Sequence, residues 1–406
     1  MKYPIYNLYV CLSHHSHINV LLMYWIVAVL LSTLEVRAMV QGVGASAAIM
    51  NERPSNSMVA LVILAHDRPD YFRQCLASVL AARALDSVDL IVSVDSAANM
   101  SMLEGVVSEI DDAKKVIVWD DTADKYHMRG TTGRDGITFH YKTVVVRVFD
   151  VEKYDYGIFL ESDEIVSEDF IEYMLSAGQL LDPSNPASES LFCVTGWNSL
   201  SVPVLGPDSG RLRRRDTFVG LGWMIHRSMW QGRMQTDWAP LKLFYHYDIW
   251  LQINPRIAGL DCIYPEVSRT HHAGLGGAND HEHDQKWLDT ILLAPPGARI
   301  SQEEISLVGN VNAYDERIQN ERLRHAQVVA MPHTLDEIPA DGEPMVVFFD
   351  PQNISTIQKL FHLGGISMDC AHRGLFGFTH KNTKISFIDQ SMRQYWNVQQ
   401  FDSEEI

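Results

Sequence analysis

The chain has 406 residues, of which 46% are hydrophobic and 10% aromatic, so it can bury a large core and form more than one domain. It carries 51 acidic and 33 basic residues, for a net charge of −18. The basic residues form no stripe along the sequence, which argues against a nucleic-acid partner. An anionic substrate would need a cation or an arginine that the binding site itself supplies.

The N-terminal region contains an apolar run that we separate from the folded part. Val20–Leu31 is uninterrupted, weaker apolar neighbours extend it to Ile18 and Leu34, and the candidate membrane segment covers residues 18–38. The short core fits a signal peptide, whereas the extended stretch fits a signal-anchor that follows a short cytosolic tail, residues 1–17, and precedes a short stem, residues 39–57. Both interpretations place the rest of the chain, and four of its five cysteines, in the secretory lumen. We favour the uncleaved anchor.

The folded part begins with alternating strand and helix patterns, which predict the α/β class with parallel strands. The predicted strands are Met58–Ala65, Val88–Asp95, Lys115–Trp119 and Tyr156–Glu161, and the predicted helices are Tyr71–Arg83 and the segment around His140. Parallel strands gather ligand groups at their carboxyl ends. Arg68, Asp95 and Asp163 are therefore expected in one pocket.

An acidic triplet, Glu161-Ser162-Asp163, follows the last of these strands, with Glu164 next to it. Carboxylates at alternate positions suit Mg²⁺ or Mn²⁺ that also holds a diphosphate. Taken alone, such a triplet is more often a solvated turn. No G-x-G-x-x-G follows the first strand, and no G-x-x-x-x-G-K-[ST] occurs, so hydride-transfer and P-loop chemistry lack their signatures.

The next segment is richer in aromatic residues and glycine. Leu191–Asn198 predicts a strand and turn, and Phe218–Met224 predicts a glycine-bent strand. Phe244–Leu251 surrounds Asp248 with aromatic residues. Asp248 is either a first-turn or N-cap acid of a helix, or a general base in an aromatic pocket. The cluster Arg211–Arg215 is either a phosphate clamp or a solvated loop, and we favour the loop.

The remaining motifs carry less chemistry. His271-His272 and His281–His283 suggest zinc, but without further ligand spacing we expect loop or surface histidines. Near the C-terminus, the patterns predict a helix at Ile357–Asp369 and strands at His372–Phe378 and Lys384–Ile388.

Eight motifs in this order, from about Met58 to about Ile388, resemble glycosyltransferase family 13, the family of N-acetylglucosaminyltransferase I-like enzymes. The motifs are Ala65–Arg68, Ser93–Asp95, His140–Lys142, Glu161–Asp163, Cys193–Asn198, Gly220–Met224, Tyr247–Trp250 and Cys262–Arg269.

The resemblance implies a GT-A type mixed sheet flanked by helices in residues 58–335 and a small C-terminal α+β domain in residues 336–406. It implies inverting transfer of N-acetylglucosamine from UDP-GlcNAc, with Mn²⁺, in β-1,2 linkage to a terminal mannose of a glycoprotein N-glycan. The alternatives are O-linked mannose as acceptor, or a weakened member that only binds glycans or UDP-sugars. The family also implies a single-pass type II protein of the Golgi membrane with a lumenal catalytic domain.

Residue roles follow from matching motifs. The resemblance implies Asp163 as metal ligand and Asp248 as catalytic base. The implied donor-binding residues are Arg68, Asp95, His140, Glu161, Ser162 and Asn279.

The chain also departs from the family pattern. Ser162 replaces an acid, and Gln252 replaces an arginine, so activity or acceptor preference is in question. The resemblance implies a disulfide between Cys193 and Cys262, and an unpaired buried Cys75.

Overall fold

The computed structural model describes residues 58–94, 97–108, 116–120, 134–238, 246–274, 286–361 and 371–398. The expected tail, anchor and stem, together with Asp95, Asn279 and His281–His283, lie outside these ranges. Within them, no helix is long and apolar enough to cross a membrane.

The secondary structure alternates as the sequence predicts in its first part. The strands are β1 (Val59–Ala65), β2 (Asp89–Val94), β3 (Val116–Asp120), β4 (Tyr156–Glu161), β5 (Glu164–Val166), β6 (Leu191–Thr195), β7 (Leu212–Arg215), β8 (Trp223–His226), β9 (Asp261–Pro265), β10 (Thr270–His272), β11 (Gln327–Val328), β12 (Met345–Phe349), β13 (Leu375–His380) and β14 (Thr383–Asp389). The helices are α1 (Pro69–Leu80), α2 (Ala97–Ser108), α3 (Arg134–Val146), α4 (Phe170–Gly178), α5 (Arg227–Met229), α6 (Tyr247–Ile253), α7 (Gln302–Gly309), α8 (Val311–Ile318) and α9 (Ile354–Leu360).

One mixed sheet of eight strands organises the larger part of the structure, in the order β3-β2-β1-β4-β8-β6-β9-β7. β1 pairs in parallel with β2 and β4, and β2 pairs in parallel with β3. β8 is antiparallel to both β4 and β6. This is a mixed sheet flanked by helices, so the expected fold class is confirmed.

The central strand β1 explains why both faces of this sheet are covered. All seven of its residues are buried. Val59, Leu61 and Ile63 contribute to one hydrophobic core, while the alternating residues, such as Val62, contribute to the other. An unbroken apolar strand is typical of a parallel sheet that helices cover on both faces.

A second sheet, in the order β11-β12-β14-β13, lies toward the C-terminus. Its aromatic residues form a separate core in which Phe376 stacks on Phe387 with ring centroids 5.2 Å apart. The two predicted strands are confirmed. The predicted helix at Ile357–Asp369 instead runs over Ile354–Leu360, and residues 362–370 lie outside the described ranges. The division at residue 336 stays a prediction.

The predicted strand at Phe218–Met224 is wrong for most of its length, because β8 begins only at Trp223. Gly222 has a φ of +62°, which lies in the left-handed region and interrupts an extended strand. A Cβ at this glycine would also crowd the side chain of Thr270. Residues 218–222 therefore form a bent approach to the strand.

The solvated loop that we favoured for Arg211–Arg215 is also wrong, since Leu212–Arg215 is the buried strand β7. The three arginines of the strand are at most 8% exposed. Buried guanidinium groups require partners, because an unpaired buried charge is strongly destabilising. These partners are Glu266 for Arg213, Asp261 for Arg214, and Thr195 and the ring of Tyr264 for Arg215.

β7 forms one margin of the eight-stranded sheet, and side chains from α7 and α8 bind its backbone. Glu304 Oε1 accepts a hydrogen bond from Leu212 N (2.8 Å), and Arg317 Nη2 donates to Leu212 O (2.9 Å). The hydroxyl of Tyr314 accepts from Arg214 N at 3.2 Å. Side chains thus supply the hydrogen bonds that a further strand would otherwise make.

A disulfide joins Cys193 of β6 to Cys262 of β9, which are paired residues of adjacent strands with Cα atoms 4.8 Å apart. The pairing implied by the family resemblance is thus confirmed. Cys75 is buried and free, as expected.

Replacing both Cys193 and Cys262 by Ala should lower the free energy of unfolding by about 2–4 kcal/mol, because the bridge closes a loop of 69 residues in the unfolded chain. Thermal unfolding with and without reductant measures this. The native chain should lose stability in reductant, whereas the double variant should not respond. A Cys75→Ala control should keep the full response, and an equal response of the double variant would contradict the prediction.

Candidate active site

The parallel pairing of β1 with β4 brings Arg68 and Asp163 to the same edge of the large sheet. Each residue lies just past the carboxyl end of its strand. Arg68 Nη2 donates to Asp163 Oδ2 at 2.5 Å. Two of the three residues expected in one pocket, Arg68 and Asp163, are therefore in direct contact. The third, Asp95, lies outside the described residues.

The small antiparallel pair β5 and β10 adds groups that the sequence did not predict for the site. His272, opposite Glu164 in the register, places its Nε2 3.5 Å from Asp163 Oδ2. Ala273 N donates to the backbone oxygen of Asp163 at 2.9 Å. A Cβ on Gly274 would collide with the Asp163 carboxylate and crowd the Arg68 guanidinium. The expectation of a loop or surface histidine at His272 is therefore wrong.

Asp163 has one carboxylate oxygen ready for a further partner. The residue is 2% exposed, and its Oδ1 is buried without a hydrogen bond. An unsatisfied buried carboxylate oxygen is costly unless a cation or a donor completes it. Mn²⁺ prefers carboxylate oxygen and accepts imidazole nitrogen, so Asp163, with His272 beside it, fits the metal that the family resemblance implies.

Two tyrosines hold Glu161, the first acid of the triplet. The hydroxyls of Tyr141 and Tyr247 donate to Glu161 Oε1 at 3.3 and 3.2 Å, and their rings stack with centroids 4.0 Å apart. Burial raises the pKa of both hydroxyls well above the ordinary value, so they stay protonated as donors. Burial and the charge of Asp163 raise the pKa of Glu161 to about 7, against these hydrogen bonds.

Glu164 lies fully buried beside the triplet, and neither of its carboxylate oxygens has a side-chain hydrogen-bond partner. Burial, followed by the charges of Glu161 and Asp163, raises its pKa well above the ordinary value. Burial therefore favours the neutral form of this carboxyl group over the carboxylate. The same burial raises the pKa of the Cys75 thiol, whose sulfur lies 3.7 Å from Glu161 O, so this cysteine is unreactive.

His140 and Asp248 reach this region from two helices. His140 of α3 is buried, and its Nε2 lies 2.7 Å from Ser93 Oγ near the end of β2. Asp248 is in the first turn of α6, beside Tyr247, and its Oδ1 accepts from Ile249 N at 2.8 Å. Its charge contributes to the raised pKa of Glu161, which places Asp248 near the acidic triplet.

Both substituted family positions are built into the structure. Ser162 is buried, and its backbone nitrogen donates to Leu64 O, which extends the pairing of β1 with β4. Gln252 Nε2 donates to Phe218 O at 3.0 Å. The glutamine therefore supports the bent segment before β8 and leaves no cation at this position.

Comparison with families of known proteins agrees with this arrangement. A family model described as the GNT-I family matches residues 28–341, most of the chain. The chain belongs to the GNT-I family. The resemblance that the eight ordered motifs carry is thereby confirmed.

Three similar proteins show how far the likeness of this GNT-I family member extends. It is 30% identical over 157 residues to an alpha-1,3-mannosyl-glycoprotein 2-beta-N-acetylglucosaminyltransferase of Arabidopsis thaliana, a match that covers 39% of this chain and only 33% of the relative. Among solved structures, S. aureus TarS 1–349 is 10% identical with a TM-score of 0.34, covering 65% of this chain and 72% of that one. The mannosyltransferase PcManGT of Pyrobaculum calidifontis, in complex with GDP-Man and Mn²⁺, is 12% identical with a TM-score of 0.32, covering 60% and 66%.

Glu161→Gln should make the free energy of unfolding less dependent on pH. The folded chain keeps the Glu161 proton up to about pH 7, whereas the unfolded chain loses it near 4.5. Folded chains then bind more protons in this window, so the native chain loses stability, relative to the variant, as the pH rises from about 4.5 to about 7. Because Glu161 is partly exposed, we expect a change of about 1 kcal/mol rather than the about 3 kcal/mol of full burial.

Urea unfolding in chelator at about pH 5 and about pH 7.5 measures this difference. The surface variant Glu343→Gln is the matched control, and its unfolding free energy should depend on pH in the same way as that of the native chain. If the unfolding free energy of Glu161→Gln changed between the two pH values as much as that of the native chain, the raised pKa of Glu161 would be refuted.

Proposed function

We propose that this GNT-I family member is a glycosyltransferase that moves N-acetylglucosamine from UDP-GlcNAc, in β-1,2 linkage, to a terminal mannose of an N-glycan. The observation that carries the proposal is Asp163 at the carboxyl edge of the parallel strands, with Arg68 on one carboxylate oxygen and the other oxygen free. Such an edge is where α/β folds bind nucleotides. The name of the Arabidopsis relative supports the same reaction.

Asp163 is proposed to hold Mn²⁺. When bound, this ion supplies Lewis-acid stabilisation of the negative charge on the departing UDP. Arg68 fixes the Asp163 carboxylate through Oδ2 and leaves Oδ1 for the ion. The guanidinium is partly exposed, so it can also contact an anionic donor.

Asp248 is proposed as the general base. In a single displacement, the 2-hydroxyl oxygen of mannose bonds to the anomeric carbon of the donor sugar. The bond from that carbon to the diphosphate oxygen breaks, and the hydroxyl proton passes to the Asp248 carboxylate. The hydrogen bond from Ile249 N occupies Oδ1 and orients the carboxylate, and the side chain is partly exposed to an incoming acceptor.

The remaining donor contacts are proposals of the same kind. We assign His140, Glu161 and Ser162 to the donor from their places around the sheet edge, and Asp95 and Asn279 from the family motifs alone. The buried rings of Tyr141 and Tyr247 hold the Glu161 carboxylate in place through their hydroxyls, so the two tyrosines support this donor contact from inside the protein.

We also propose that the enzyme works in the Golgi lumen, as a single-pass type II protein held by residues 18–38. The disulfide between Cys193 and Cys262 supports an oxidising compartment. Protease protection of the full chain in sealed Golgi vesicles tests this. Digestion of the catalytic part without detergent would contradict it.

Asp248→Asn should lower turnover by about 10²-fold or more while UDP-GlcNAc binding stays unchanged, because the amide keeps the shape but cannot accept the proton. UDP release with a mannose-terminated acceptor and Mn²⁺ measures turnover, and calorimetry measures binding. The exposed Asp336→Asn is the matched control and should keep full turnover. Unchanged turnover of Asp248→Asn would remove Asp248 from the role of base.

The acceptor is tested with an oligomannose N-glycan and an O-mannosyl peptide in parallel. Faster transfer to the N-glycan supports the proposal, and faster transfer to the peptide favours the O-mannose alternative. Ser162 and Gln252 motivate a second candidate function, a protein that binds UDP-sugars without transfer. Binding of UDP-GlcNAc with no UDP release on either acceptor would favour that function.

A further inference from the structure

A second group of potential metal ligands lies away from the candidate active site. Asp216 follows β7, Asp261 begins β9, and His372 precedes β13. One ligand atom from each of these residues lies within 4.8 Å of the other two. Asp261 pairs with Leu191 at the beginning of β6, whereas Asp163 follows the carboxyl end of β4. The two groups are at opposite edges of the sheet, separated by a strand length of roughly 17–20 Å.

The distances around His372 resemble those between ligands of one metal ion. Its Nδ1 lies 3.4 Å from Asp216 Oδ1 and 3.5 Å from Asp261 Oδ2. A charged hydrogen bond would be about 2.7–2.9 Å long. Ligands about 2.0–2.1 Å from a tetrahedral Zn²⁺ are instead about 3.3 Å from one another. His372 is buried, and its Nδ1 has no closer polar partner than these two carboxylates at 3.4 and 3.5 Å.

The surroundings of these three residues have the form of a metal site. The other ring nitrogen of His372, Nε2, lies 2.8 Å from Asp315 Oδ1, so in a neutral ring that donates this hydrogen bond the lone pair is on Nδ1. A carboxylate behind a ligating histidine is usual in proteins, because it fixes the ring and its tautomer. Arg214 Nε donates to Asp261 Oδ2 at 2.6 Å and holds this carboxylate in place.

We propose that Asp216, Asp261 and His372 bind a divalent transition-metal ion, for which Zn²⁺ is the best fit. One imidazole nitrogen and two carboxylate oxygens are common Zn²⁺ ligands, and water can complete the tetrahedron. Asp216 is exposed and provides an entry path. It also lines a cavity of about 20 Å³, enough for one water molecule.

The ion would join the turn before β13 to the large sheet. Asp216 N donates to Ala371 O at 2.8 Å, and Arg373 N donates to Asp216 Oδ2 at 2.6 Å. These two hydrogen bonds already hold the turn that carries His372 against Asp216, which would be a ligand of the same ion. A metal that binds only this folded arrangement stabilises it by mass action, so the expected role is structural.

A proton at Nδ1 is the competitor of the metal. Burial alone would lower the pKa of His372, but the neighbouring carboxylates raise it above its ordinary value. A protonated imidazole between carboxylates is therefore the explanation that the experiment must separate from a bound ion.

The experiment starts from the Asp163→Asn variant of the full chain, which removes the proposed active-site ligand. After dialysis against chelator, calorimetry with Zn²⁺ and visible absorption with Co²⁺ count the ions and report tetrahedral geometry. We expect one ion per chain and a thermal midpoint that Zn²⁺ raises by about 2 °C or more. Adding Asp216→Asn or His372→Gln should weaken binding at least about 10-fold, and adding Asp315→Asn should weaken it by about 10-fold to 100-fold.

The exposed His325 provides the matched control, since His325→Gln removes an imidazole outside the group and should bind Zn²⁺ normally. No bound ion in Asp163→Asn, or unchanged affinity after Asp216→Asn, would overturn the metal site and leave a protonated ion-pair cluster. Asp216 is exposed, so its isosteric variant tests the proposal even where His372→Gln fails to fold. Where Asp163→Asn fails to fold, the test is made in the chain that keeps Asp163. Asp216→Asn should then bind one Zn²⁺ ion fewer than the native chain, and an equal number of ions would overturn the metal site.

Discussion

The parallel pairing of β1 with β4 is the constraint on which the candidate active site depends. The register places Leu64 beside Glu161, so the segments that follow both strands emerge at one edge. Arg68 and Asp163 form an ion pair at this edge although they are 95 residues apart in the sequence. The ion pair between the two ends is therefore a consequence of how the sheet is built.

The second constraint is the amount of negative charge at this edge. Glu161, Asp163 and Glu164 are close neighbours, and Asp248 adds a fourth carboxyl group nearby. The structure lowers the repulsion in three ways: Arg68 pairs with one acid, tyrosine hydroxyls donate to another, and burial favours the neutral form of Glu164. Asp163 keeps a buried carboxylate oxygen without a hydrogen bond, so this residue is the place in the cluster where a cation can bind.

The sequence predicted the parts of the fold that follow from local periodicity and strand order. The early strands, the shared edge of Arg68 and Asp163, and Asp248 in a first helical turn all belong to this class. It could not predict the role of His272, because the pairing of β10 with β5 joins segments about a hundred residues apart through the register alone. The arginines of β7 were misjudged for a related reason, since their partners come from distant segments and composition alone indicates a solvated surface.

The same limit applies to Gly274, whose importance depends on how closely it approaches Asp163. A glycine-rich segment indicates a turn or loop, but not which side chain will pack against a particular glycine. The disulfide between Cys193 and Cys262 could be inferred only from family resemblance, because spacing alone does not fix connectivity.

The covered margin of β7 has a consequence for the behaviour of the protein in solution. Open sheet margins attract strands of other molecules and so promote aggregation. Here Glu304, Tyr314 and Arg317 already occupy backbone groups of Leu212 and Arg214. The buried arginines make any rearrangement of this strand costly. A margin of this kind resists the addition of a strand from another molecule, so the large sheet is protected from growing across β7.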